Sequence, residues 1–111
     1  MHLVIRATNL PVTEAIREHV STRVLGAVSR FAKRLASITV VIEDVNGPKG
    51  GVDIACRIEG ELARSGGPVV ITARSDDLYR AVDRASGRFK GALRRRAERR
   101  KARSPRRKGV G

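Results

Sequence analysis

Tryptophan is absent, and 111 residues hold one tyrosine and two phenylalanines. Any core must come from Val, Ile, Leu and Ala, and the length allows one domain with one modest, tightly packed core. A single cysteine, Cys56, excludes an internal disulfide. His2 and His19, both read as surface residues, leave no cluster of metal ligands. No apolar run is long enough for a signal peptide or a membrane span, so a cytoplasmic setting away from membranes is expected. Also missing are a nucleophile elbow, an acid/base pair and a phosphate-cradling P-loop. No catalytic residue, metal, cofactor or small-molecule substrate is expected, and the chain does not read as an enzyme.

Carboxylates are scarce too: 24 Lys and Arg stand against 11 Asp and Glu, a net charge of +13. Such a chain seeks a polyanion. From Arg80 to Gly111 there are 14 basic and 2 acidic residues, which leaves a net +1 on the first 79. The binding surface is therefore expected in the C-terminal third.

What is present has clear periods. Leu3-Val4-Ile5-Arg6-Ala7 is a first strand, ended by Asn9-Leu10-Pro11. Thr13 is placed to N-cap a helix, with Glu14 in its first turn. Ile16, Val20, Val24, Ala27, Val28 and Phe31 recur at threes and fours, predicting one buried face as far as about Arg34. Ile38 to Glu43 is a second strand. In the third, Val52, Ile54, Cys56 and Ile58 alternate with Asp53, Ala55, Arg57 and Glu59, so Val52 is read as inward-facing. Gly66-Gly67-Pro68 breaks the chain before a fourth strand, Val69 to Ala73, and the last three strands form an antiparallel meander. Ser75, Asp76 and Asp77 supply cap chemistry for a last helix with the stripe Leu78, Val82, Ala85, Phe89 and Leu93, persisting to about Arg100. Residues 1–100 are expected to form the domain and 101–111 a disordered basic tail.

The order β-α-β-β-β-α with one apolar stripe per helix predicts a two-layer α+β domain. Its four-stranded sheet carries both helices on one face and meets water on the other, much like a double-stranded RNA-binding domain with an added first strand.

On the last helix, Arg80, Arg84, Arg88, Arg95 and Arg99 fall at steps of four or seven, with Lys90, Arg94 and Arg96 read as thickening the same side. Solvated helix faces mix charge signs; this one hardly does, and like charges four apart repel. The planar guanidinium bridges phosphates and stacks on bases, which favours nucleic acid as the neutralising partner. Phe31 and Phe89 lie on apolar stripes and belong to the core, leaving Tyr79 as the one ring available for stacking. Shape and phosphate recognition is expected over single-base readout. Gly47-Pro48-Lys49-Gly50 fits the GXXG pattern of KH domains, but between strands it reads as a simple turn.

Two stretches resemble a known family. Thr13-Glu14-Ala15-Ile16-Arg17-Glu18-His19-Val20 is similar to the opening of the first helix in ribosome hibernation-promoting and ribosome-associated inhibitor proteins. Asp77-Leu78-Tyr79-Arg80-Ala81-Val82-Asp83 is similar to the D-x-Y-x-A-I-D opening of their second helix. The resemblance covers roughly residues 2 to 96, and it is to the short members of the family. It implies a bacterial translation regulator of stress and stationary phase that binds the decoding channel of the small ribosomal subunit as a monomer. There it would meet ribosomal RNA and exclude mRNA and tRNA. By position, Arg23 matches a basic site of the first helix, Arg88, Arg94 and Arg95 match basic sites of the second, and Tyr79 is the motif tyrosine. Arg30, Arg80, Arg84, Lys90 and Arg99 complete the expected RNA-binding set. Gly26 departs from a common lysine, and Gly91-Ala92 from an Arg-Gln pair. The alternatives are a general double-stranded RNA-binding protein, a ribosome-assembly protein, or a regulator of an acidic protein partner.

Overall fold

A computed structural model describes residues 2–46, 50–64 and 67–110, with side chains as far as 99. The elements are β1 (His2–Thr8), α1 (Glu14–Val28), a 3-10 helix (Ser29–Arg34), β2 (Leu35–Asp44), β3 (Ile54–Leu62), β4 (Val69–Ser75) and α2 (Leu78–Val110). The sheet runs β1-β2-β3-β4, with β1 parallel to β2 and the remaining pairs antiparallel. The expected α+β order and meander are both present. A parallel pair needs a crossover, and α1 with its 3-10 extension supplies it.

Local chemistry sets the ends. Thr13 Oγ1 accepts from the Ile16 amide at 3.2 Å, and Asp77 Oδ1 accepts from the Arg80 amide at 3.2 Å, so each helix has a side-chain N-cap. The α1 helix stops six residues before the expected Arg34. At Val28 the backbone leaves the α region (φ −102°, ψ 4°), and Ser29 Oγ donates back to the Gly26 carbonyl at 3.2 Å. The tighter 3-10 turn then delivers Leu35, buried, into β2. Gly67, at φ 73°, holds a left-handed position that a side chain would strain.

One correction concerns Val52, which lies outside β3 and is 59% exposed. The hairpin closes earlier, where the Val45 amide donates to the Asp53 carbonyl at 2.8 Å and Asn46 Nδ2 to the Gly51 carbonyl at 2.9 Å. Residues 47–49, most of the GXXG match, lie outside the described residues, as do residues 65–66. The last helix, expected to persist to about Arg100, runs to Val110, and the side chains of the tail expected over 101–111 lie outside the described residues. Arg74, at the end of β4, bonds Asp53, which holds its guanidinium still further toward the charged form.

The core lies between the sheet and the helices. It gathers Ile16, Val20, Val24 and Val28 from α1, Ile38, Val40 and Ile42 from β2, Ile54, Cys56 and Ile58 from β3, and Val82, Ala85, Phe89 and Leu93 from α2. On the opposite sheet face Thr39, Val41, Arg57, Glu59 and Thr72 are paired across strands and reach water to varying degrees. Phe89 is fully buried, and its Cζ lies 2.5 Å from where a Cβ on Gly60 would stand. Only a bare backbone on β3 lets the ring in.

Two measurements check this packing. Phe89→Ala is expected to cost about 3–5 kcal/mol in urea unfolding, and Gly60→Ala about 1–3 kcal/mol by overpacking. Burial pushes the Cys56 thiol up to about 12, so native protein should resist maleimide at neutral pH and react only on unfolding. Since the unfolded thiol ionises near the ordinary 9.0, stability should fall as pH rises above that value toward 12.

Candidate nucleic-acid interface

The buried stripe of α2 fixes where its cations go. Arg88 and Lys90, two residues apart, point roughly 160° apart on a helix of 3.6 residues per turn. The single basic side expected from the sequence is therefore two lanes. One lane overhangs β4, the sheet edge: Arg84 donates to the Arg74 carbonyl at 2.9 Å and Arg88 to the Thr72 carbonyl at 2.8 Å. Helical spacing puts Arg95 and Arg99 along the same flank, with Arg80 one turn before Arg84. Carbonyls on an edge strand invite another strand, and these guanidinium groups occupy two of them.

The second lane faces α1. Near the start of α2, His19 Nε2 lies 2.9 Å from Asp83 Oδ1 and Arg23 Nε 3.1 Å from the same oxygen. A carboxylate only accepts, so Nε2 carries the proton in this bond. The Tyr79 ring stands edge-on to the His19 imidazole, with centroids 4.7 Å apart. His19, read from the sequence as a surface residue, is instead three-quarters buried in an interhelical brace. Arg23 and Asp83 are 56% and 40% exposed, so their ion pair contributes at most about 1 kcal/mol. One turn on, Ser86 Oγ is buried with no hydrogen-bond partner among the described residues.

Further along, the helices open into a cleft of about 270 Å³ lined by Arg30, Phe31, Arg34, Lys90, Arg94, Ala97 and Glu98. Arg30 and Arg34 come from the 3-10 turn. Had α1 continued as a regular helix, its pitch would have carried them to other directions.

Of the ten residues expected to bind RNA, the structure brings Arg23 and Tyr79 to the brace and Arg30, Lys90 and Arg94 to the cleft. Arg80, Arg84, Arg88, Arg95 and Arg99 follow the β4 flank. None of the seven on α2 from Arg80 to Arg99 is ion-paired among the described residues. The sequence reading missed His19, Asp83, Phe31 and Arg34. Asp83 carried a signal: it is one of two acids in the basic last third. The glycines inside α2 are not explained by close packing, since a Cβ on Gly87 would meet nothing within 4 Å and one on Gly91 only the Arg95 guanidinium at 3.4 Å. Among the described residues there is no group of metal-ligating side chains, and no helix is long and apolar enough to cross a membrane.

Residues 3–101 match the family model described as sigma 54 modulation protein / S30EA ribosomal protein. No curated protein matches the chain significantly. The structure is similar to the crystal structure of the Thermus thermophilus Protein Y N-terminal domain, with a TM-score of 0.69 and 27% identity over 86% of this chain and 98% of that one. It shares the fold of a ribosomal subunit interface protein from Coxiella burnetii, with a TM-score of 0.72 and 18% identity over 86% of this chain and 96% of that one. The two helix-opening motifs pointed to this same group of ribosome-associated proteins. With nearly all of its folded residues inside the family match, the chain belongs to the sigma 54 modulation protein / S30EA ribosomal protein family.

Proposed function

We propose that this protein is a ribosome hibernation factor. It enters the decoding channel of the small subunit, lays α1 and both basic lanes of α2 on ribosomal RNA, and excludes mRNA and tRNA during stress or stationary phase. It acts in the bacterial cytoplasm as a monomer and catalyses nothing. Residues 101–111 add charge to a binding surface carried by residues 1–100.

One observation carries the reading: within a fold of this family, seven cations on α2 have no carboxylate partner among the described residues. Cations four apart on one helix repel, and phosphates are the groups that relieve this while matching guanidinium geometry. The single tyrosine is engaged edge-on by His19, which supports recognition of shape and phosphate over a run of stacked bases. The RNA-binding residues on this reading are Arg23, Arg30, Tyr79, Arg80, Arg84, Arg88, Lys90, Arg94, Arg95 and Arg99.

Cosedimentation with vacant small subunits, and with subunits preloaded with messenger and initiator tRNA, tests it. Binding should be restricted to vacant subunits and should weaken with salt at a log-log slope of roughly −4 to −5 if six phosphates are neutralised. Arg94→Ala should lower that slope by about one, and Arg94→Glu should weaken binding further. Arg88→Glu needs a parallel unfolding curve, because Arg88 also serves the β4 edge. Equal binding to loaded subunits, or to any RNA duplex, would leave a general RNA-binding module instead.

A further inference from the structure

The cleft at the far end of the helix pair differs in chemistry from the lanes around it. Arg30 and Arg34 reach it from the 3-10 turn and Arg94 from α2, while Phe31 and Ala97 give it an apolar wall and Glu98 a carboxylate. Bare phosphate would need only the cations. An apolar wall and an acceptor beside them match what a phosphate carries in a nucleotide: a base face, and the hydroxyl and amino donors of ribose and base. The size agrees. Pockets for drug-sized ligands start at roughly 300 Å³, and a cleft of about 270 Å³ is near that lower end, on the scale of one nucleotide.

We infer that this cleft receives a single unpaired nucleotide of the RNA strand, its phosphate on Arg30, Arg34 and Arg94 and its base against Phe31 and Ala97, with Glu98 accepting from a base amine or a ribose hydroxyl. The inference rests on the reading of this protein as a ribosomal RNA binder and adds to it a pocket for one extrahelical base. The remaining cations follow the backbone; this pocket selects a place where the duplex is interrupted.

The chain has only two phenylalanines, so fluorine labelling of Phe gives two resonances, one in the cleft and one in the core. Guanosine monophosphate, used as a probe, should move the Phe31 resonance and leave that of Phe89 in place. A hairpin with one bulged purine should bind about tenfold more tightly than a fully paired hairpin of the same length and charge. Ala97→Phe fills the cleft without altering charge. It should abolish that preference while preserving affinity for the paired hairpin, the salt slope and the unfolding midpoint.

A Phe31 resonance that ignores the probe, or an Ala97→Phe variant that still prefers the bulge, would overturn the inference. So would a response to the free nucleotide without any preference for the bulge, since it would assign the cleft to a soluble nucleotide. If Arg94→Glu loses small subunits while the unsubstituted protein never distinguishes the two hairpins, the pocket fails and the ribosomal reading stands. If neither variant changes binding to subunits, both fail.

Discussion

Phe89 against Gly60 is the contact on which the placement of everything else depends. A fully buried ring on α2 meets β3 at a residue with no side chain, and a Cβ there would stand 2.5 Å from the ring carbon. That interlock fixes the position and rotation of α2 over the sheet. Once they are set, helical geometry leaves no freedom: Arg84 and Arg88 fall on the β4 edge, Asp83 opposite His19, and Arg94 opposite the 3-10 turn. A different helix rotation would bury the guanidinium groups of one lane or the other.

The strength of this contact also decides a contest. Repulsion between like charges four apart on α2, at a few tenths of a kcal/mol for each of a few pairs, sums to about 1–2 kcal/mol. Gly87 and Gly91 each cost a further 0.5–1 kcal/mol or so relative to Ala. Losing the Phe89 ring would cost about 3–5 kcal/mol, comparable to those penalties together. The helix therefore holds Arg80, Arg84, Arg88, Lys90, Arg94, Arg95 and Arg99 without an ion pair among the described residues because its buried face is anchored, and their mutual repulsion is available for a polyanion to relieve.

Most of this architecture was legible in the sequence because periodicity reports burial directly. The alternation through Ile54, Cys56 and Ile58 and the stripe through Leu78, Val82, Ala85, Phe89 and Leu93 each describe a face that must be covered, and the caps at Thr13 and Asp77 mark where helices start. Three things were not legible. The end of α1 depends on how Ser29 folds back on Gly26 and on where β2 must begin, a tertiary demand that the apolar stripe up to Phe31 does not record. Val52 continued the alternation but fell in the loop, past the last backbone hydrogen bond of the hairpin, Val45 to Asp53. The separation of Arg88 from Lys90 was present in the numbering, yet its meaning came only when β4 and the 3-10 turn occupied the two sides.

Charge placement within α2 then separates the two lanes by role. The helix has two carboxylates, Asp83 and Glu98, and the described contacts of both lie toward α1: Asp83 on His19 and Arg23, Glu98 on the cleft wall. The α2 side chains described as bonding to β4, Arg84 and Arg88, are both cations. A purely basic lane attracts phosphate wherever it lies, and its affinity changes with salt more than with sequence or shape. A lane that interleaves cations with acceptors and an apolar wall penalises a ligand that brings only negative charge, and discrimination of this kind arises from repulsive as well as attractive contacts. On the proposed function, the first lane is what holds RNA and the second is where one RNA surface is distinguished from another.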